Sequence, residues 1–181
     1  LRWTTQSYLV DLFLDCPAGL GLHCPNASSV AALRAAVTKG DVSWHVFPNN
    51  AELALVEPRL LQAAVGLTHE LDDKLGVPRK TVLSQRDVPG MERSTIPLLK
   101  RAGVRALSEG MNGRIAPPNV PNAFLWKDEA SGESLLSLWH PRGYGMLGDY
   151  LLVPNSQHAL AYAWREDNAG PPLGADEVVA D

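Results

Sequence analysis

Residues 42–86, VSWHVFPNNAELALVEPRLLQAAVGLTHELDDKLGVPRKTVLSQR, decide the fold class of this chain. The runs 42–47 and 81–86 contain β-branched residues and predict strands. Between them, apolar residues recur at helical spacing at Leu60, Ala64, Leu67, Leu71 and Leu75. Pro58 in the first turn and Gly76 beyond the last turn predict the two ends of this helix. A strand, a helix and a second strand in succession are typical of a parallel strand pair joined by a crossover helix.

The same alternation extends in both directions along the chain. Further strands are predicted at residues 1–5, 104–107, 151–153 and 159–164, and further helices at residues 7–14, 28–40, 94–102 and 174–179. Ser28 or Ser29 is the predicted N-cap of the second helix, and Gly40 is its predicted stop. The pattern predicts an α/β fold with a parallel sheet, and the length of 181 residues is that of one domain.

A different pattern follows Asn112. Three prolines, at 117, 118 and 121, predict a rigid loop. After this loop, strands are predicted at residues 123–126 and 134–139, on either side of a Ser131-Gly132 turn. We therefore expect a β-hairpin insertion at about residues 113–145.

Composition excludes several partners. The formal net charge is -4 with a pI near 5.7, and the sixteen Lys and Arg residues are scattered, so nucleic acid and anionic membrane are not the expected partners. No apolar run reaches the roughly 18 residues that a membrane span needs, and no leader pattern precedes Trp3. A neutral small-molecule substrate fits this composition, which leaves the oligomeric state open.

The two cysteines, Cys16 and Cys24, lie in a Gly- and Pro-rich stretch and are too few for a disulfide framework. Buried thiols are therefore expected, and a disulfide only in an oxidising compartment. The glycosylation sequon Asn26-Ala27-Ser28 weakly supports such a compartment. The sequence leaves the localisation open.

Polar residues follow several predicted strands, where parallel β/α folds build their sites. The candidate catalytic residues are Asp87 and Glu109; the candidate substrate-binding residues are Asn49, Asn50, Gln85, Arg86, Asn112 and Tyr144; and the candidate metal ligand is His140. Asp87 has a second interpretation, as an ion-pair partner of Arg86 or as a helix cap. The second interpretation of Glu109 is that it is a solvated loop residue. His45, between Trp44 and Val46, is interpreted as a core or hydrogen-bonded imidazole.

Sequence motifs that are specific for metal sites or catalytic nucleophiles are absent. The chain has no HxxxH, HExxH or CxxC pattern, no Gly-rich phosphate loop and no GxSxG elbow. Glycosidic chemistry needs two carboxyl groups across one bond, and Asp87 is the stronger candidate of the two.

Five segments together resemble one protein family. They are Trp3-Thr4-Thr5, residues 44–52 (WHVFPNNAE), residues 84–91 (SQRDVPGM), Pro117-Pro118, and residues 140–145 (HPRGYG). This set resembles a group of glycosidase-like proteins related to the N-terminal catalytic domain of family 38 glycoside hydrolases, the retaining α-mannosidases. The resemblance spans most of the chain.

The resemblance implies a seven-stranded parallel β/α barrel of the glycoside hydrolase and polysaccharide deacetylase type. It also implies a zinc ion, bound by a His-x-Asp motif that would lie upstream of Leu1, by an aspartate and by a distant histidine. In the family this aspartate is both a zinc ligand and the catalytic nucleophile, and the resemblance places Asn49 at its position. An amide side chain cannot form the glycosyl ester of a retaining mechanism. Residues 85–90 resemble a second segment of these enzymes, and this match places Asp87 at the position of that segment's aspartate.

The leading hypothesis is that the chain is part of a carbohydrate-active hydrolase acting on a sugar linkage. In this hypothesis Asp87 is the acid/base or orienting carboxylate, Asn49, Asn50, Gln85 and Arg86 bind sugar hydroxyls, and His140 is a zinc ligand or hydroxyl donor. The alternatives are a sugar-binding pseudoenzyme and a metal-dependent deacetylase-like hydrolase.

A complete β/α barrel takes about 250 residues. Residues 1–181 are therefore expected to be one partial domain from the interior of a barrel, and this part is expected to be inactive alone.

Overall fold

The computed structural model describes residues 2–88, 91–110 and 118–140, and the backbone of strands at 150–152 and 159–161. The strands are β1 (Trp3–Thr5), β2 (Val42–Trp44), β3 (Val82–Arg86), β4 (Ala106–Gly110), β5 (Ala123–Lys127), β6 (Ser134–His140), β7 (Tyr150–Leu152) and β8 (Ala159–Ala161). The helices are α1 (Ser7–Asp15), α2 (Ala27–Lys39), α3 (Pro58–Leu75) and α4 (Ile96–Arg101), with short 3-10 turns at Leu53–Leu55 and Arg93–Thr95. The predicted helix at residues 174–179 lies outside the described residues.

The strands are mainly parallel and follow one another in chain order. β1 pairs with β2, and β3, β4 and β6 form a second parallel set. The Val46 N–H donates to the Val82 carbonyl at 2.8 Å and so joins the end of β2 to the start of β3. The α/β class with a parallel sheet is confirmed, whereas the described residues form open sheets of two, four and two strands and no closed barrel.

The predicted hairpin is present as β5 and β6, which pair antiparallel. Its second strand also pairs in parallel with β4, so the hairpin belongs to the main sheet, in the order β3-β4-β6-β5. Alternate side chains of β6 are buried at Leu135, Ser137 and Trp139 because one face of this strand packs on the core. Residues 111–117 and 141–149 of the expected insertion lie outside the described residues.

Helix α3 begins and ends as predicted. The Glu57 carboxylate accepts from the N–H groups of Arg59 and Leu60, Pro58 occupies the first turn, and Gly76 closes the helix with a φ of 66°. The predicted apolar stripe is wrong by about one position, since Leu60 and Leu67 are 61% and 60% exposed.

The buried face of α3 is instead formed by Leu61, Val65, Thr68, Leu71 and Asp72. Both stripes have helical spacing, so spacing alone does not choose between them. The choice is made by the sheet, whose Leu83, Leu107 and Leu135 pack with Leu61 and Val65 in the main core.

Helix α2 is capped two or three residues earlier than predicted. The Asn26 side-chain oxygen accepts from the Ser29 N–H at 2.8 Å, so Asn26 and not Ser28 or Ser29 is the N-cap. Asparagine is among the best N-cap residues because its oxygen satisfies an N–H that the helix leaves unpaired. Gly40 ends the helix, as predicted, with a φ of 82°.

The prediction of buried thiols is wrong. Cys16 and Cys24 form a disulfide with a Cα–Cα distance of 5.6 Å, within the range that this bond requires. Cys24 lies in an exposed segment and Cys16 is half-buried, so neither side chain belongs to the core. Cys16 can approach Cys24 because it ends α1 in a left-handed conformation that turns the chain back.

Replacing both cysteines with serine is expected to lower the free energy of unfolding by about 2.5 kcal/mol, because the bond closes a short loop in the unfolded chain. Urea denaturation of the oxidised chain, the reduced chain and the double variant measures this. The reduced chain and the double variant should agree; equal stability of all three would contradict the prediction.

Within the described part of the chain, no helix has the length and hydropathy of a membrane span.

Candidate functional site

The carboxyl ends of β2, β3, β4 and β6 meet at one edge of the sheet, where most of the predicted site residues lie. The parallel register aligns Arg86 with Gly110 and His140, and aligns Gln85 with Glu109 and Trp139. Because aligned residues of parallel strands share a face, these two rows point to opposite faces of the sheet. The structure therefore divides the predicted residues into two groups.

On the first face, Arg86, Ser108 and His140 form a buried polar cluster, which we call the Arg86 cluster. The Arg86 guanidinium is 4% exposed and donates to the Ser108 carbonyl at 2.9 Å and to the Ser108 hydroxyl at 3.0 Å. The Ser108 Oγ lies 3.4 Å from the His140 Nε2. The cluster holds a permanent cation against the end of the sheet.

Asn50 and Gln85 fix the loop that precedes α3. The Asn50 amide donates to the Arg86 carbonyl at 2.8 Å and accepts from the Arg86 N–H at 3.1 Å. The Gln85 amide accepts from the Ala51 N–H at 2.8 Å and donates to the Asn49 carbonyl at 3.3 Å. Both amides, predicted to bind substrate, bond to the main chain here, while the Asn49 side chain is exposed.

Asp87 follows β3 directly and is exposed. Its N–H donates to the Gly110 carbonyl at 2.8 Å, and its φ of 58° places it in the left-handed region. Residues other than glycine rarely adopt this conformation, and those that do are concentrated at functional sites. The main chain thus holds the Asp87 carboxyl at the rim of the sheet, beside the end of β4.

Glu109 lies on the second face and is 8% exposed, so it is not the solvated loop residue of the second interpretation. The pKa of Glu109 is raised to about 7, chiefly by burial; the Arg86 cation opposes this rise and the Glu52 carboxylate adds a smaller one. A buried carboxyl group with such a pKa carries its proton in mildly acidic solution.

A cavity of about 370 Å³ adjoins Glu109. Its lining is mostly apolar and aromatic and includes Met91, Leu107, Phe124, Trp126 and Trp139. The Trp139 Nε1 is buried and has no hydrogen-bond partner among the described residues. The cavity therefore combines aromatic surface with the polar side chains of Ser137 and Glu109.

His45 is buried and hydrogen-bonded, as predicted. Its Nδ1 accepts from the Phe47 N–H at 3.2 Å, so Nε2 carries the proton and donates to the Gln6 Oε1 at 3.0 Å. Burial, with a smaller contribution from the Arg86 cation, lowers the pKa of His45 to about 4. His45 is thus a neutral structural imidazole near neutral pH.

The described residues do not make a zinc site by themselves. No group of three or more His, Cys, Asp or Glu side chains in residues 2–88, 91–110 and 118–140 is arranged to hold a metal ion. The Nε2 of His140, the predicted ligand, lies 3.4 Å from the Ser108 Oγ. Asn112 and Tyr144 lie outside the described residues.

Ser108 and Glu52 are site residues that the sequence analysis missed. Ser108 stands two residues before the end of β4, and strand alternation places it on the face of Arg86 once the register is known. Glu52 follows the Asn49-Asn50 loop and acts on Glu109 through its charge. The pairing of β3 with β4 connects Ser108 to the site, and the charge of Glu52 connects that residue to Glu109.

A larger groove, of about 730 Å³, lies at the opposite edge of the sheet. It is lined by the middle of α3, the end of α4 with Lys100, and residues that precede β3 and β4, among them Lys80 and Arg105. Parallel β/α folds build their sites at the carboxyl ends of strands, so we place the candidate site at the Arg86 cluster and not in this groove.

No protein-family profile and no curated protein sequence matches the chain. Several solved structures share its fold, among them the following two. An α-mannosidase from Enterococcus faecalis V583 aligns with a TM-score of 0.63 and 16% identity over 80% of this chain and 16% of the mannosidase chain. A 4-α-glucanotransferase from Thermococcus litoralis aligns with a TM-score of 0.51 and 12% identity over 75% of this chain and 20% of its own. This chain therefore spans a fifth or less of the length of either structure.

Proposed function

We propose that this chain is part of a carbohydrate-active domain that acts on a sugar linkage, in a mainly parallel β/α barrel of the glycosidase type. The main support for this proposal is the position of Asp87. Its carboxyl group is exposed at the strand ends, next to the buried Arg86 cluster, and its main chain has a left-handed conformation. The fold shared with an α-mannosidase and a 4-α-glucanotransferase supports the same class. The order of the parallel strands along the chain supports the barrel.

In this proposal Asp87 donates a proton to the oxygen of the sugar linkage and recovers it from the incoming water, or it orients a hydroxyl group, because its carboxyl group is exposed to solvent. Arg86 and His140, buried at the ends of β3 and β6, supply positive charge and a ring nitrogen to hydroxyl or acidic substituents. Asn50 and Gln85 position the loop that presents Asn49.

Glu109 is the second carboxyl group of the proposal. Its raised pKa keeps a proton available in mildly acidic solution, which is the property of a general acid. The adjoining cavity supports a sugar or aglycone site, since Trp126 and Trp139 offer ring faces on which sugars stack. Glu109 lies on the face of the sheet opposite the Arg86 cluster and borders this cavity.

The test uses the full-length protein that contains this chain, a panel of aryl glycosides and oligosaccharides, and calorimetry. Asp87→Asn is expected to lower kcat about 100-fold while sugar binding persists, because general acid–base catalysis is lost and the side chain keeps its shape. Asp41→Asn, which alters only a surface ion pair with Lys39, is the matched control and should leave kcat unchanged. Full turnover in Asp87→Asn would contradict the assigned role.

Glu109→Gln separates a two-carboxyl mechanism from chemistry at Asp87 alone. A loss of kcat comparable with that of Asp87→Asn supports two carboxyl groups, and unchanged kcat limits the chemistry to Asp87.

A sugar-binding protein without turnover is the second candidate function. It is favoured by Asn49, an exposed amide at the position that the resemblance assigns to the aspartate nucleophile. Sugar binding by the wild-type protein without release from any substrate, and unaffected by Asp87→Asn, would support it. A protein that neither binds nor cleaves any sugar of the panel would contradict both candidates.

A further inference from the structure

Asn26 lies in an Asn-Ala-Ser sequon that the candidate site does not use. The sequon comes directly after the disulfide-linked segment and opens α2, with Asn26 and Ser28 both exposed. Acceptor asparagines of N-linked glycans lie at such exposed positions in proteins of the secretory route.

The cap of α2 uses only one of the two polar atoms of the Asn26 side chain. Its Oδ1 accepts from the Ser29 N–H at 2.8 Å and from the Ser28 hydroxyl at 2.7 Å. The Nδ2 takes part in no hydrogen bond among the described residues. A sugar attached through Nδ2 leaves Oδ1 in place, so the helix cap and the modification are compatible.

The disulfide between Cys16 and Cys24 is an independent observation on the compartment. Disulfides form and persist in oxidising environments, which include the lumen where N-glycans are transferred, and are rare in the cytosol. The bond lies two residues before the sequon, in a segment exposed at Leu20 and Leu22. One stretch of the chain therefore carries both an oxidised cysteine pair and an accessible acceptor.

We propose that this protein enters an oxidising secretory compartment and carries an N-linked glycan on Asn26. In the transfer, a bond forms between Nδ2 and the anomeric carbon of the first sugar. The bond from that carbon to the pyrophosphate of a lipid-linked oligosaccharide donor breaks, and the amide loses one proton. No oxidation or reduction accompanies the transfer. The proposal is independent of the catalytic assignment above.

The test is peptide mapping of the protein isolated from the organism that makes it. Treatment with a peptide N-glycosidase in ¹⁸O water is expected to convert Asn26 to labelled aspartate, with Cys16 and Cys24 recovered in one disulfide-linked peptide. Unlabelled Asn26 in an intact, oxidised protein would overturn the proposal. So would a protein recovered with both thiols free.

Three variants expressed in the same cells separate glycosylation from helix capping. Asn26→Asp keeps the capping oxygen and removes the amide, and Ser28→Ala keeps Asn26 and breaks the sequon, so both are expected to lose the glycan completely. Ser29→Ala is the matched control, because Ser29 contributes only its main-chain N–H to the cap, and it should keep the glycan. Unchanged electrophoretic mobility of Asn26→Asp and Ser28→Ala relative to wild type would overturn the proposal.

Discussion

Asp72→Ala is expected to lower the free energy of unfolding by about 3–5 kcal/mol, as is typical when one partner of a buried charged network is removed. Asp72 is 0% exposed, and its Oδ1 accepts from the Trp44 Nε1 at 2.8 Å. Its Oδ2 accepts from the Lys80 N–H at 2.9 Å, and the Lys80 Nζ lies 3.7 Å from Oδ1 and 4.6 Å from the centre of the Trp44 ring. The alanine variant leaves the indole N–H, a main-chain N–H and a partly buried ammonium group without this acceptor.

The neighbouring Asp73 provides the matched control. Asp73 is exposed and pairs with Arg79 at 2.8 Å on the surface, so Asp73→Ala is expected to leave the free energy of unfolding nearly unchanged. Urea denaturation followed by circular dichroism measures both variants. Equal losses for Asp72→Ala and Asp73→Ala would contradict the assignment of Asp72 as the residue that binds β2 to α3.

The second large effect concerns pH, because His45 and Glu109 act on stability in opposite directions. The pKa of His45 falls from 6.5 to about 4 on folding, so its stabilising contribution is present above pH 6.5 and is lost as the pH falls through 4. The pKa of Glu109 rises from 4.5 to about 7, so its contribution is present below pH 4.5 and is lost as the pH rises through 7. Each shift corresponds to about 3 kcal/mol.

In the wild-type chain the two contributions nearly cancel between pH 4.5 and 6.5. Glu109→Gln removes the Glu109 contribution, so that the stability of this variant relative to wild type is expected to rise by about 3 kcal/mol from pH 4.5 to 7. His45→Gln removes the His45 contribution, so that its stability relative to wild type is expected to fall by a similar amount from pH 4 to 6.5.

Urea denaturation of the two variants and of the double variant at half-unit pH steps measures these differences. Differences from wild type cancel the contributions of the surface carboxylates, which all four proteins share. Glu70→Gln, an exposed substitution outside the site, is the matched control and should follow wild type at every pH. A pH-independent difference for Glu109→Gln would show that this carboxyl group titrates normally.

The local features of the sequence predicted the elements, and the contacts between elements could not be predicted in the same way. Pro58 and Gly76 fix the ends of α3 because their backbone preferences are local. The face that α3 buries depends on which side chains β3 and β4 present to it, and Leu60 and Leu67 were therefore assigned wrongly. The disulfide depends on the turn at Cys16, a property of the folded chain.

The edge that carries the candidate site was predicted for a physical reason, since parallel strands bring their carboxyl ends together. The roles of individual residues at this edge depend on register. A one-residue difference along a strand puts Gln85 and Arg86 on opposite faces, and the same holds for Ser108 and Glu109. Sequence reasoning listed Gln85, Arg86 and Glu109 together, and only the pairing of strands separates them.

The position of β5 limits how this sheet can be extended. A strand has two hydrogen-bonding edges, and those of β6 are taken by β4 on one side and by the antiparallel β5 on the other. A further strand can therefore join this end of the sheet only along the outer edge of β5. Any ring that closes through these strands must include one reversed strand, so a uniformly parallel closure would require β5 to be displaced from β6.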